Sequence, residues 1–317
     1  MTTLLRNLRR GRGLAGFAAL TVAFMVLVIL WGAVVRATGS GAGCGQHWPL
    51  CNGVVFPLHH PRLATVIEFT HRATTGVCST LYFIVLIWTF VSRPRGDRAR
   101  KAAVWSGVLI VTEALLGRAL VIHGWVDRNT SDARAIMQCI HFTNTLLLLA
   151  AFALTWWWLR PQASPDAADT GTRTLAVLAL AATILVGATG SVAALADTLF
   201  PAPSLHDGLL ADFSANAPLL VRMRWLHPAA SILSVLFAGW LALRLRSSAG
   251  RWLLMLLGLQ VVLGVGDVLL LAPTWMQVLH LLGADLFWIT LVGISADVLL
   301  PHTSENLRAA LRYAAAD

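Results

Sequence analysis

Charge is what this sequence has least of. Only 12% of its 317 residues are Asp, Glu, Lys or Arg, against about 25% in an ordinary soluble domain. That scarcity excludes a soluble globular enzyme, a disordered chain and a nucleic-acid-binding module. The net charge of +9 therefore describes where Arg sits in loops rather than a nucleic-acid footprint. Carboxylates are too sparse along the apolar stretches to build a proton relay across a membrane. Apolar types fill the space instead, at 57% of the chain, with a mean hydropathy of +0.71.

Roughly 20 consecutive apolar residues cross a bilayer as a helix. The pattern predicts spans one to eight at about 14–35, 63–92, 102–122, 134–159, 173–195, 222–245, 252–271 and 275–299. The first has Arg6, Arg9, Arg10 and Arg12 ahead of it. Its apolar stretch is too long for a secretory leader and no small-residue cleavage site follows, so it reads as a retained helix. Sixteen Lys and Arg lie in tails and loops on one side and six on the other. The positive-inside rule then expects both termini in the cytoplasm and an even number of spans. The fold expected is an all-α, multi-pass membrane protein with little mass outside the bilayer. Residues 1–13 and 300–317 form cytoplasmic tails, and 160–172 links two halves, 14–159 and 173–299.

The halves are expected to repeat. Ala37-Thr38-Gly39-Ser40 recurs as Ala188-Thr189-Gly190-Ser191, each read as the end of a span. Glu113 with Gly117 matches Gln260 with Gly264. Met137-Gln138-x-x-His141 matches Met276-Gln277-x-x-His280, and His71 matches His227. Each element returns four spans later, so the repeat is parallel. It predicts two pseudo-symmetric four-helix bundles about an axis along the membrane normal.

Ten histidines are present. His47, His59, His60 and His206 fall in loops and His302 in the tail, where they read as solvated residues; His123 sits at a span end. His71, His141, His227 and His280 lie inside apolar spans. A buried imidazole in a bilayer faces the bundle interior. All four are within about ten residues of the same ends, at most ~15 Å deep. Zinc would need three or four ligands from His, Cys or carboxylate, and each half offers two recurring His. Two facing imidazoles inside a bundle suit a six-coordinate haem. The reading is one tetrapyrrole site per half, His71 with His141 and His227 with His280.

The halves also differ. Glu68 is three residues before His71 and shares its helix face, whereas Arg224 precedes His227 at the matching place. An acid beside an iron ligand can move protons or steady a developing cation, unless it is simply paired with Arg72. The asymmetry suggests one reaction site and one electron-transfer site. Cys44 and Cys51, spaced Cys-x6-Cys in the first outer loop, face an oxidising compartment and are expected as a disulfide. It either staples the loop or takes part in thiol exchange or electron transfer. Cys78 and Cys139 read as small packing residues.

Arg36-Ala37-Thr38-Gly39-Ser40-Gly41, Cys44, Trp48-Pro49-Leu50-Cys51 and Glu68-Phe69-Thr70-His71-Arg72, with the later His141, His227 and His280, resemble the bacterial haem A synthase family over about residues 14–299. The resemblance implies an eight-span enzyme of the plasma membrane, with its first loop on the extracytoplasmic side. Such an enzyme oxidises a ring methyl of haem O to a formyl group, making haem A for terminal oxidases. By the same resemblance, His71 and His141 hold the substrate haem and Glu68 is the catalytic acid–base. His227 and His280 ligate a cofactor haem b, and the Cys44–Cys51 pair joins the reaction or its electron transfer. Arg72 meets a haem propionate or pairs with Glu68. The implied partners are haem O, membrane lipid, an electron acceptor and the farnesyltransferase that makes haem O; no nucleic acid is implied. Glu113 departs from the expected Gln, with Arg118 on the same span a candidate partner. Two other functions compete: a bis-histidine b-type cytochrome, needing the four His but neither Glu68 nor the cysteines, and a parallel-repeat transporter, needing helices broken at mid-membrane depth.

Overall fold

The computed structural model describes Gly11 and residues 13–57, 61–160 and 168–301. The N-terminal tail (apart from Gly11 and Gly13), His59, His60, most of the expected 160–172 linker and 302–317, with His302, lie outside the described residues. Those residues form ten α-helices and one 3-10 turn, with no strand among them. They are α1 Leu14–Ala37, α2 Leu63–Ser92, α3 Arg98–Ile122, α4 Asp132–Leu159, α5 Thr170–Leu199, α6 Leu205–Phe213, α7 Leu219–Arg222, α8 Leu226–Leu245, α9 Ser248–Leu269 and α10 Thr274–Leu299. Eight stretches, with α7 and α8 counted as one, are long and apolar enough to cross a bilayer. The protein is a multi-pass membrane protein, and the exposed Leu, Val, Ile, Phe and Trp along its spans are surface that lipid covers.

The helix boundaries follow caps that hydropathy does not register. Asp97 accepts the Ala99 N–H, so α3 begins at Arg98, four residues earlier than expected. Asp169 accepts the Thr172 N–H and starts α5. At its other end α5 runs on to Leu199, because its polar residues find partners there. Thr198 accepts from Arg36 and Asp197 from Arg224. Ala188–Ser191 is therefore interior helix, whereas Ala37 closes α1 and Gly39 has left it with φ 65°. The repeated tetrapeptide does not mark equivalent helix ends. The chain interrupts the sixth span at Met223–Trp225. Pro228 follows in the first turn of α8, where its missing N–H would have no helical partner anyway.

Within the first half, α1 packs on α2 and α4, and α3 packs on α2 and α4. In the second half, α5 packs on α8 and α10, and α9 packs on α8 and α10. The order of neighbours is the same in both. The halves meet through α1 and α4 against α5 and α10. Their shared core contains Val22, Met25, Leu149 and Phe152 on one side and Leu175, Ala179, Trp288 and Leu291 on the other. Trp288 donates its indole N–H across the seam to the Leu146 carbonyl at 2.8 Å. Trp157 does the same to Asp297 Oδ1 at 2.8 Å. Tyr82 Oη donates to the Ala103 carbonyl and ties α2 to α3 on the side away from the first loop.

Candidate functional site

The first loop folds back onto the start of α2. Cys44 and Cys51 are joined by a disulfide and are 0% and 2% exposed. Gly43 lies directly over the Ala64 carbonyl, closer than any Cβ allows. Its own carbonyl accepts the Thr65 hydroxyl at 2.7 Å. This seat brings the Cys44 backbone N–H to Glu68 Oε2 at 2.7 Å. The other carboxylate oxygen, Oε1, accepts from Arg72 Nε at 3.1 Å and Nη2 at 2.5 Å. Arg72 Nη1 donates to the carbonyls of His47, at 2.7 Å, and Leu50, at 2.9 Å. Both carbonyls belong to the disulfide-closed loop. Glu68, 3% exposed, is thus held by the loop directly and again through Arg72. Arg72 pairs with Glu68 as expected.

His71 lies one turn further along α2. Its ring rests on Gly32 of α1, where a Cβ would come within 3.1 Å of Cε1. Its buried Nδ1 has no hydrogen-bond partner among the described residues. Across the bundle, His141 of α4 faces Gly117 of α3, with Nδ1 3.6 Å from Glu113 Oε1. Glu113 does not use Arg118. Asn144 donates to its Oε2 at 2.6 Å, and the Thr145 hydroxyl donates to its Oε1.

In the second half, the rings of His227 and His280 stand 6.2 Å apart, centre to centre, and nearly perpendicular at 84°. His227 Nδ1 is 3.1 Å from the Val186 carbonyl oxygen. A carbonyl only accepts, so the proton sits on Nδ1 and Nε2 is left free. A Cβ on Gly190 would be 2.8 Å from His227 Cε1, and one on Gly264 3.0 Å from His280 Cε1. Gln260 places its amide nitrogen 3.2 Å from His280 Nδ1 and 3.3 Å from its Nε2. Arg224, the counterpart of Glu68 in sequence, turns away to Asp212 and Asp197 at 2.7 and 3.0 Å.

Each candidate ligand therefore faces a glycine of a neighbouring helix, in close approach at Gly32, Gly190 and Gly264 and at ordinary contact distance at Gly117. Gly117 and Gly264 are the pair the repeat anticipates. Gly190 backs His227, but the residue backing His71 is Gly32, seven residues before Gly39.

The donor set fits an iron porphyrin. Among the described residues no three His, Cys, Asp or Glu gather as a metal site, which argues against a tetrahedral ion. Two imidazoles bound to one metal through bonds of about 2 Å put ring centres roughly 6 Å apart, the spacing of His227 and His280. The unpartnered Nδ1 of His71 is a polar group that a low-dielectric interior tolerates only with a partner.

Several residues here were not singled out from sequence. Arg36 of α1 crosses between the halves. It donates to the Ala194 carbonyl and Thr198 Oγ1 of α5, both at 2.6 Å, and to Gln277 Oε1 of α10 at 2.7 Å. Asp285 is 1% exposed within α10. Asn144 and Thr145 could have been found by setting His141-Phe142-Thr143-Asn144-Thr145 against His280-Leu281-Leu282-Gly283-Ala284. Cys78, beside Met25 at 3.8 Å, and Cys139, beside the Ala188 carbonyl at 3.7 Å, pack between helices.

Residues 15–292 match the family COX15-CtaA, described as cytochrome oxidase assembly protein. The chain belongs to the COX15-CtaA family. It is 42% identical over 295 residues to a Thermus thermophilus protein named protoheme IX farnesyltransferase, covering 90% of this chain and 48% of that one. It is 35% identical over 143 residues to a Bacillus licheniformis protein named heme A synthase, covering 45% of this chain and 44% of that one. A heme A synthase of Shouchella clausii is 36% identical over 143 residues, covering 45% and 44%. The chain spans about half the length of these curated relatives. COX15-CtaA is a haem-related family.

Proposed function

We propose that this chain is a haem A synthase, an oxidoreductase that converts a ring methyl of haem O to a formyl group. The observation that carries the reading is the carboxylate of Glu68. It is buried one turn before His71, fastened to the disulfide loop, and has no acidic counterpart beside His227. In this reading His71 and His141 hold the substrate haem, and His227 and His280 hold a haem b. A haem b there supplies one-electron transfer.

The chain's own residues account for the rest. Gly32, Gly190 and Gly264 hold their imidazoles by close backbone approach. Arg72 holds Glu68 against the loop and keeps its charge compensated. A methyl becomes an aldehyde through an alcohol and a hydrated aldehyde, and each of these two oxidations sends two electrons to an external acceptor. When water adds to a cationic carbon, a proton must go somewhere, and Glu68 is the base at hand. The hydrated aldehyde then loses water. General acid–base assistance of this kind is worth about 10²–10⁴ in rate.

The two halves act as four-helix bundles related by a two-fold axis along the membrane normal. The first loop lies outside the plasma membrane and both termini lie inside. The Thermus relative supports a farnesyltransferase as a neighbour in the pathway. That protein is named protoheme IX farnesyltransferase, and this chain matches about half of its length. The b-type cytochrome reading explains the four histidines but leaves Glu68 and its clamp without a task.

The test is expression in cells that make haem O but no haem A, followed by mass analysis of extracted haems. A formylated product supports the synthase. Haem b alone would support the cytochrome.

A further inference from the structure

Glu113 has no role in the reading above, and its surroundings are built for a carboxylate. Asn144 Nδ2 donates to Oε2 at 2.6 Å and is itself oriented by the Thr112 hydroxyl, which donates to Asn144 Oδ1 at 2.8 Å. The Thr145 hydroxyl donates to Oε1. An acid inside a bilayer survives only when paired or well hydrogen-bonded, and here two donors are supplied. The second half lacks the whole arrangement. Gln260 stands in place of Glu113, and Gly283 and Ala284 stand in place of Asn144 and Thr145. Gly283 leaves no side chain to bond and sits where a Cβ would meet Gln260 Oε1 at 2.5 Å. Acid and donors occur together in one half, amide and none in the other.

The remaining reach of the carboxylate is toward His141. Oε1 is 3.6 Å from Nδ1, and Nδ1 has no hydrogen-bond partner among the described residues. A small rotation of the ring about its side-chain torsions closes that gap. We propose that Glu113 is a positioning residue that takes the Nδ1–H of His141, fixes Nε2 as the iron-facing nitrogen and makes that imidazole the most electron-donating of the four. The inference rests on the reading that His141 is an iron ligand. A carboxylate behind a ligating histidine raises its basicity, and hydrogen bonding behind the ligand is one of the protein's means of setting an iron's potential. The iron site of the first half is thereby held at a lower potential than that of the second half. An electron-rich ligand eases removal of electrons from the porphyrin that is to be oxidised, and the neutral Gln260 leaves the other site higher and ready to receive them.

The test is a potentiometric titration of the purified haem-loaded protein, with the two components assigned by H71A and H227A. In E113Q the first-half midpoint should rise toward that of the second half, whose midpoint should stay put. In E113D, whose carboxylate is one methylene further from Nδ1, the first-half midpoint should rise as well. A first-half haem whose midpoint is unchanged in E113Q would overturn the proposal, as would two midpoints moving together. If E113Q does not fold, E113D decides: a raised first-half midpoint supports the proposal and an unchanged one overturns it. A wild-type protein with no haem in the first half would overturn the ligand reading itself, a result distinct from a bound haem with an indifferent potential.

Discussion

The backbone N–H of Cys44 donates to Glu68 Oε2 at 2.7 Å, so one partner of the disulfide touches the Glu68 carboxylate. The cysteine pair and the carboxylate form one unit. The loop fixes one oxygen through Cys44, and it fixes the other through Arg72, which the carbonyls of His47 and Leu50 hold in turn.

Replacing both cysteines by serine should release this clamp. Formation of the formylated haem should fall at least about tenfold, less than the roughly 10²–10⁴ expected when acid–base assistance is lost outright, while haem in the second half stays. Added electron acceptors should not restore the product. If they did, the cysteines would be electron carriers rather than a clamp.

Glu68→Gln keeps the shape and removes the base. Product formation should fall by about 100-fold or more, with the visible spectrum of the second-half haem unchanged. Full product yield from this variant would remove Glu68 from the chemistry.

The glycines behind the histidines give a graded series. Gly190→Ala puts a Cβ 2.8 Å from His227 Cε1, whereas Gly117→Ala puts one at an ordinary 3.7 Å from His141 Cε1. Overpacking costs about 1–3 kcal/mol. G190A should therefore lose or shift the second-half haem absorbance while G117A stays close to wild type. Equal effects in the two variants would mean that these glycines do not set the rings.

Arg36→Ala removes three hydrogen bonds that join α1 to α5 and α10. Bonds from a charged donor are worth about 1.5–3 kcal/mol each. The detergent-solubilised protein should melt at a clearly lower temperature, and Arg36→Lys should recover only part of the loss because it cannot fork to two helices. An unchanged melting temperature would show that the seam holds without Arg36.

The apolar runs made the eight spans legible, since a bilayer demands about 20 apolar residues for each crossing. Polar helix ends were not legible. Asp197 and Thr198 read as loop, yet they are helical because Arg224 and Arg36 reach them from other elements. The candidate ligands stood out because imidazole is costly in lipid. Their glycine backing did not, because a close approach between helices leaves no trace in either sequence alone. The repeated Ala-Thr-Gly-Ser misled for the same reason. Only the packing shows that Gly190 corresponds in use to Gly32. Glu113 was visible as an oddity, and its meaning appeared only when Asn144 and Thr145 came beside it.

The account stands on two imidazole pairs, each holding one iron porphyrin. The direct measurement is haem stoichiometry and absorbance of purified protein, for wild type, the His71/His141 double alanine variant and the His227/His280 double alanine variant. The account predicts haem in both halves of the wild type and loss of a different component in each double variant. Colourless wild-type protein, or double variants that keep every haem, would contradict it.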